Sequence, residues 1–251
     1  MSLLCVTRNL GRSPTALPWL TSTAAEADVL FLQEMPHAAL SVPESHVVVP
    51  QAASAAGDWG TCRSAIVLRR DLAEQASMTE TGTLLDQLGA YVVVLRLAVP
   101  AQAPLALVSL HARPARYDGA LQTDRLPQPR ACEAGPWWSD VAAAGLAALA
   151  ARGPVLCAGD LNECLAWDAD HAGHGCGAEY FDRLEHSGLV DLTTRDWQSE
   201  RATRQSPPYQ VDRVLTDSGT ASRVRVRDED PVFDGLSDHA PLWFELTDLD
   251  G

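Results

Sequence analysis

"GPVLCAGDLNE", residues 153–163, is an apolar run that ends in a carboxylate and a carboxamide two residues apart. The run reads as a buried strand closing at Asp160. Alternate side chains of a strand point the same way, so Asp160 and Asn162 can aim at one common object. Gly, Asp and Asn are also the usual punctuation of a turn. A single occurrence does not choose between the two readings. The choice depends on whether other apolar runs end in the same manner.

They do. Short apolar or alternating runs predict strands over 2–9, 27–35, 64–70, 91–99, 105–112, 153–160, 209–216, 222–229 and 240–247. Helical pattern covers 13–27, with Ser13 as N-cap, Pro14 at the first position and Pro18 as a possible break. It returns over 136–153, closed by Gly153, and over 178–188, closed by Gly188. So many strands exclude a helical fold. The Pro-rich stretch from Arg113 to Pro136 reads as a long surface loop, a length often associated with function.

Polar groups now collect at strand ends. Asn9 ends the first strand, Glu34 nearly ends the second and His111 ends a third, while Asp160 and Asn162 follow the run quoted above. Asp212 lies inside "YQVDRVL", where a charge needs a partner, and Asp238-His239 stands directly before the last strand. Alone, each has an ordinary explanation: Glu34 paired with an arginine, His111 a satisfied core histidine, Asp238 a turn cap. Together they argue for one site.

Composition bounds the rest. A chain of 251 residues, 46% hydrophobic and 21% charged, is long enough for one large core, and we expect a single domain over 1–251. No apolar run reaches the roughly 18 residues needed to cross a bilayer, and the N-terminus lacks a signal-peptide layout. A cytoplasmic protein that does not engage membranes is expected. Six scattered cysteines without a C-x-x-C pair argue against structural zinc and a disulfide framework, and Cys157 reads as a core residue. The net charge of -14 presents a repulsive mean field to a polyanion and disfavours tight non-specific binding to duplex nucleic acid. All 19 basic residues are Arg, a choice that mirrors a GC-rich genome or the better bidentate partner for phosphate.

In order along the chain stand Asn9 in "TRNLG", Gln33-Glu34, His111 in "LHARP", "GDLN", Asp212 in "VDRV" and "SDH". This series resembles the endonuclease/exonuclease/phosphatase family, which includes deoxyribonuclease I, abasic-site endonucleases, deadenylases, inositol-polyphosphate phosphatases and neutral sphingomyelinases. The likeness runs from the first strand to the last, and "LHARP" and "VDRVL" look most like the deoxyribonuclease I branch. It implies an α+β fold of four layers, an α/β/β/α sandwich of two mainly antiparallel sheets packed face to face with helices outside. The resemblance also implies a site at one edge of that sandwich.

Hydrolysis of a phosphate ester needs a hard cation, a base for water, and donors for the developing charge. Carboxylates with amide oxygens and no thiolate suit Mg²⁺ or Mn²⁺. By resemblance, Glu34 is the first metal ligand, with Asn9 and Asp238 completing or orienting the shell. His239 transfers the proton, and Asp212 holds its tautomer and favours the imidazolium. Asp160 orients or deprotonates the attacking water, and the Asn162 amide donates to a phosphate oxygen. His111 contacts the phosphate or protonates the leaving oxygen, and Arg113 is a candidate phosphate clamp.

Some local features depart from the family or stand apart from it. Asn9 in "TRNLG" is followed by Leu10-Gly11-Arg12 rather than by an acidic residue, which weakens a second metal site there. His171, His174 and Cys176 have ligand-like spacing, although a glycine-rich surface loop explains them as well. Trp59, Trp137, Trp138 and Trp197 are candidates for stacking on a base and equally for core packing. Arginines from Arg113 to Arg130, with Arg195, Arg201 and Arg204, form a thin basic track. The expected activity is therefore a DNA or RNA nuclease acting as a monomer. A phosphatase or phosphodiesterase for a small metabolite or lipid headgroup, and an inactive binding module, stand as alternatives.

Overall fold

Strand alternation sorts the chain into two sheets that share one interior. The computed structural model describes residues 2–35, 42–50, 64–99, 102–119, 126–130, 135–166, 176–193, 202–206, 208–228 and 231–248. The first sheet holds β1 (Leu3–Asn9), β2 (Val29–Gln33), β3 (His46–Pro50), β4 (Ala65–Arg69), β11 (Val224–Val226) and β12 (Leu242–Leu246), in the order β11-β12-β1-β2-β4-β3. The second holds β5 (Ala76–Met78), β6 (Val92–Leu97), β7 (Leu105–His111), β8 (Val155–Asp160), β9 (Leu189–Asp191) and β10 (Asp212–Asp217), in the order β5-β6-β7-β8-β10-β9. Each sheet has one parallel pair, β1 with β2 and β7 with β8, and is otherwise antiparallel. The expected four-layer α+β sandwich is the fold.

Three apolar layers hold it. Between the sheets, Leu3, Cys5, Val29 and Phe31 face Leu95, Leu107, Leu156, Ala158 and Val214. Outside the first sheet, Leu20 and Ala24 of α1 (Leu17–Ala24) cover Val6, Leu30, Leu32 and Val67. Outside the second, α3 (Trp138–Ala150) and α4 (Cys176–His186) set Val141, Leu146, Tyr180 and Leu184 against Val108, Leu110, Cys157 and Leu215. Odd and even positions of one strand therefore feed different layers. Each fully buried Leu or Phe contributes roughly 1.5–3 kcal/mol by leaving water.

All nine expected strands are present with trimmed ends. β3, β5, β9 and the one-turn α2 (Arg70–Ala73) are additional to the sequence expectation: none has more than three apolar residues in a row or an alternating flank, whereas the equally short β11 lies in the alternating "SRVRVRDE". Pro18 does not divide the first helix; it sits in the first turn of α1, where a missing N–H is tolerated. The strand expected from 209 begins only at Asp212, because Tyr209, Val211 and Asp212 bond instead to the Thr203–Arg204 loop. Cys5 and Cys157 are buried free thiols, and Cys164 is buried as well. Trp138 is a core residue, packed on Tyr91 and Tyr117 with centroids at 5.1 and 5.2 Å. Trp59, Trp197, His171, His174, Arg195 and Arg201 lie outside the described residues, as does the Cys176 side chain. Among the described residues, no helix is long and apolar enough to cross a membrane.

Candidate active site

The interior-facing stripe of each central strand changes character in the same direction. On β1 it runs Leu3, Cys5, Thr7, Asn9; on β2 Val29, Phe31, Gln33; on β7 Leu105, Leu107, Ser109, His111; on β8 Leu156, Ala158, Asp160. β10 runs oppositely, from Asp212 to Val214. Register then aligns the polar ends: His111 lies opposite Asp160, and Asp160 opposite Asp212. One step inward, an amide and hydroxyl layer ties the sheets together. Gln33 Nε2 donates to Ser109 Oγ at 3.0 Å and to Thr7 Oγ1 at 3.3 Å, and Ser109 Oγ donates to the Leu32 carbonyl at 3.0 Å.

The chain leaves these strands through uncommon backbone. Gly11 (φ 59°) and Arg12 (φ 61°) follow β1, Glu34 (φ 49°) follows β2 and Asn162 (φ 52°) follows β8. Asn tolerates the left-handed region, whereas Glu and Arg there carry strain on the order of 1–3 kcal/mol each, which the surroundings must over-determine. In the G-D pair the glycine is required by space. A Cβ on Gly159 would lie 1.9 Å from the Leu110 carbonyl oxygen of the adjacent strand.

The opening stretch resolves into both of its readings. Asp160 Oδ1 accepts from the Asn162 N–H at 2.9 Å, closing an Asx turn, while Oδ2 remains for the interior. That oxygen accepts from Asn9 Nδ2 across the sheets at 3.0 Å and stands 3.8 Å from Nε2 of both His111 and His239. Asn9 Nδ2 also donates to Glu34 Oε1 at 3.3 Å, and the Gly11 N–H fixes its orientation by donating to Oδ1 at 2.9 Å. Asn9 thus turns its NH₂ toward two carboxylates and orients them. His111 Nε2 lies 3.5 Å from Glu34 Oε1, and its buried Nδ1 has no hydrogen-bond partner among the described residues.

His239 is held from several sides. Nδ1–H donates to Asp212 Oδ2 at 2.9 Å, the backbone N–H donates to Ser237 Oγ, and Ser237 Oγ donates to the Asn9 carbonyl. Burial works against charging this ring, but Asp212, with Asp160 and Asp238 behind it, outweighs burial and pushes its pKa up to about 9. Burial, reinforced by the charge of Asp212, pushes the Asp160 carboxyl up against the opposing pull of His239, His111 and Asn9. Asp238 is 49% exposed, 4.0 Å from His239 Nε2, and its Oδ2 accepts from Arg204 Nε at 3.4 Å. Asn162 uses one amide hydrogen on the Ala112 carbonyl at 2.8 Å. Arg113 is turned to Asp118 (3.6 Å) and to the face of Trp138 (5.3 Å), away from this cluster's contacts.

Two supports have no sequence signal. Arg8, fully buried behind Asn9, holds Asp234 through both terminal nitrogens (2.8 and 2.5 Å) and donates to the His239 carbonyl at 3.2 Å. A lone charge inside an apolar strand announces a partner, but that partner lies 226 residues away. Behind the Asx turn, Glu163 accepts from Arg130 through both oxygens and from Ser139, while Arg130 Nε donates to Asp140 at 2.9 Å and Arg213 donates to the Glu163 carbonyl.

The donor set suits a hard divalent cation. Ligand atoms of Asp160, Asp212 and His239 lie within 4.8 Å of one another, and buried Asp212 Oδ1 has no hydrogen-bond partner among the described residues. Asp212 is committed to His239 through its other oxygen, so Glu34 and Asp160, with Asp238 beside them, offer the more available carboxylates. Such crowding of acids is unfavourable unless a cation joins it.

The family model described as the Endonuclease/Exonuclease/phosphatase family matches residues 9–239. No curated protein matches the sequence. Among solved structures, the chain is similar to the AP endonuclease LMAP from Leishmania major (17% identity, TM-score 0.69, covering 98% of this chain and 88% of that one). It is similar to the endonuclease domain of TRAS1, a telomere-specific non-LTR retrotransposon (18% identity, TM-score 0.61, all of both chains). It is also similar to the 3' phosphatase NExo from Neisseria bound to product DNA hairpin (17% identity, TM-score 0.62, 98% of this chain and 99% of that one). At these identities the likeness is one of fold.

Proposed function

We propose, because the chain belongs to the endonuclease/exonuclease/phosphatase family, that it hydrolyses phosphodiester bonds of nucleic acid with Mg²⁺ or Mn²⁺ at the strand-end site. Family membership makes it a phosphoester hydrolase; the substrate and the residue roles are our own reading. The whole chain, 1–251, acts as one such unit. The observation that carries it is the convergence of His111 Nε2, His239 Nε2 and Asn9 Nδ2 on one oxygen of Asp160.

Glu34 and Asp238 would hold the cation, with Asn9 orienting Glu34. When bound, the cation neutralises phosphoryl oxygens. Asp160, a carboxylate whose burial raises its basicity, positions and deprotonates the attacking water. His239, charged and oriented by Asp212, donates from Nε2 to the oxygen where charge develops. Asn162 offers its second amide hydrogen, and His111 its Nε2, to the same phosphate. Arg113 is not included: its guanidinium lies over Trp138 and beside Asp118, with no contact to a residue of the site among the described residues. Two of the similar structures named above, an AP endonuclease and a phosphatase bound to a DNA product, support a nucleic-acid substrate. The net charge of -14 favours a second reading, a small phosphorylated metabolite.

Hydrolysis of plasmid DNA, single-stranded RNA, bis-p-nitrophenyl phosphate and p-nitrophenyl phosphate with Mg²⁺ or Mn²⁺ separates the two. Polynucleotide cleavage is expected to fall by about 10²–10⁴ in His239→Ala and at least as far in Asp160→Asn. Turnover confined to the small esters would replace the nuclease with the metabolite hydrolase.

A further inference from the structure

Two arginines at the rim of the site are each bonded to an acid assigned above to the cation. Arg12 Nε lies 3.2 Å from Glu34 Oε2, and Arg204 Nε lies 3.4 Å from Asp238 Oδ2. Neither position is accidental. Arg12 is fixed in left-handed backbone with its N–H on the Glu34 carbonyl at 2.9 Å. Arg204 lies across a short antiparallel bridge from His239, and the next N–H, of Gln205, donates to the Asp238 carbonyl at 2.7 Å.

The contacts form a series around one centre: Arg12, Glu34, His111, Asp160, His239, Asp238, Arg204, every step within 4.0 Å. Gly11, next to Arg12, lies beside Asp238, where a Cβ on it would be 3.7 Å from Oδ1. Both arginine side chains are accessible, at 51% and 33%, and both approach their acids through Nε, with no hydrogen bond from their terminal nitrogens among the described residues. Ion pairs this exposed are worth about 0–1 kcal/mol, so they exchange readily. Guanidinium and phosphate make a stronger, bidentate match.

We infer that Arg12 and Arg204 form a phosphate clamp that the acids occupy until a divalent cation engages Glu34 and Asp238, whereupon both guanidinium groups turn to the non-bridging oxygens of the substrate phosphate. The ligand class is a phosphate anion, ester or free. The clamp also supplies the short-range positive charge that a chain of net charge -14 needs where its substrate docks. It exists only if the site is the metal-dependent phosphoesterase proposed above.

The test uses the full chain and no turnover: thermal-shift titrations with Mg²⁺ alone, then with inorganic phosphate at saturating Mg²⁺, on wild type, Arg12→Gln and Arg204→Gln. Each variant is expected to bind phosphate about tenfold more weakly, roughly 1.4 kcal/mol, while binding Mg²⁺ equally or more tightly, because a competing cation has left the carboxylate. Unchanged phosphate affinity in both variants overturns the clamp and leaves the phosphoesterase standing. Loss of Mg²⁺ and phosphate binding together also overturns it, assigning the arginines a structural role. A wild type that responds to neither Mg²⁺ nor phosphate removes the phosphoesterase, and the clamp with it.

Discussion

Asp160 and Glu163 stand three residues apart in one short stretch, and each is buried in a cluster of charges, yet the two clusters are finished to different degrees. Around Glu163, Arg130 fills both carboxylate oxygens, Ser139 adds a third bond, and Asp140 holds the remaining side of the guanidinium while its other oxygen accepts from the Trp137 N–H. Around Asp160, two histidines stand at 3.8 Å rather than at hydrogen-bond distance, and among the described residues His111 Nδ1 and Asp212 Oδ1 are buried without hydrogen-bond partners. Most buried polar groups of a folded protein are paired. Acids left crowded together mark a candidate functional site.

Breaking the finished cluster is expected to have the largest effect on stability. Arg130→Met strands Glu163 and Asp140 in the interior and destabilises the fold by about 3–5 kcal/mol in urea unfolding. The double variant Arg130→Met with Glu163→Leu recovers much of that loss. If the single variant unfolds at the wild-type midpoint, this cluster is not the structural one.

A smaller effect reports on the imidazolium of the unfinished cluster. The folded pKa of His239 is raised above its usual 6.5 to about 9, so the native state holds the extra proton more tightly than the unfolded chain. That stability is fully present below pH 6.5 and is lost as pH rises through 9. Metal-free wild type is therefore expected to lose up to about 3 kcal/mol over this window, and Asp212→Asn to lose most of the slope. An equal slope in Asp212→Asn would show that the aspartate does not hold the proton.

The smallest change is expected at Asp160. Asp160→Asn gives up one hydrogen bond but removes a carboxylate that burial disfavours, so metal-free stability stays within about 1 kcal/mol of wild type. The rise in Tm on adding Mn²⁺ is expected to shrink. A destabilisation as large as that of Arg130→Met would erase the contrast between the clusters.

The sequence by itself carried the strands and the polar strand ends that gather in the candidate site, while the four layers followed from the family resemblance. Alternation is a two-residue period, so an apolar stripe ending in Asn9, His111 or Asp160 could be read without knowing what lay opposite. The same reading put Asp238-His239 before the last strand and marked Asp212, inside its strand, as a charge in need of a partner, and these residues meet. β3, β5 and β9 escaped because none holds more than three apolar residues in a row or an alternating flank, unlike the equally short β11 in "SRVRVRDE".

Pairing across the fold was decided only in three dimensions. Arg8 is an unexplained charge until Asp234 closes on it, Arg130 is a loop arginine until Glu163 and Asp140 enclose it, and Asn9 could equally present its oxygen until the Gly11 N–H fixes it. Arg113 illustrates the converse: two residues beyond His111, it seemed aimed at the site, yet it lies on Trp138, while Arg12 and Arg204 reach the acids. Periodicity is a local property that neighbouring residues impose on one another. The identity of a charge's partner depends on which distant backbones the packing of two sheets brings within about 3 Å, the reach of a hydrogen bond.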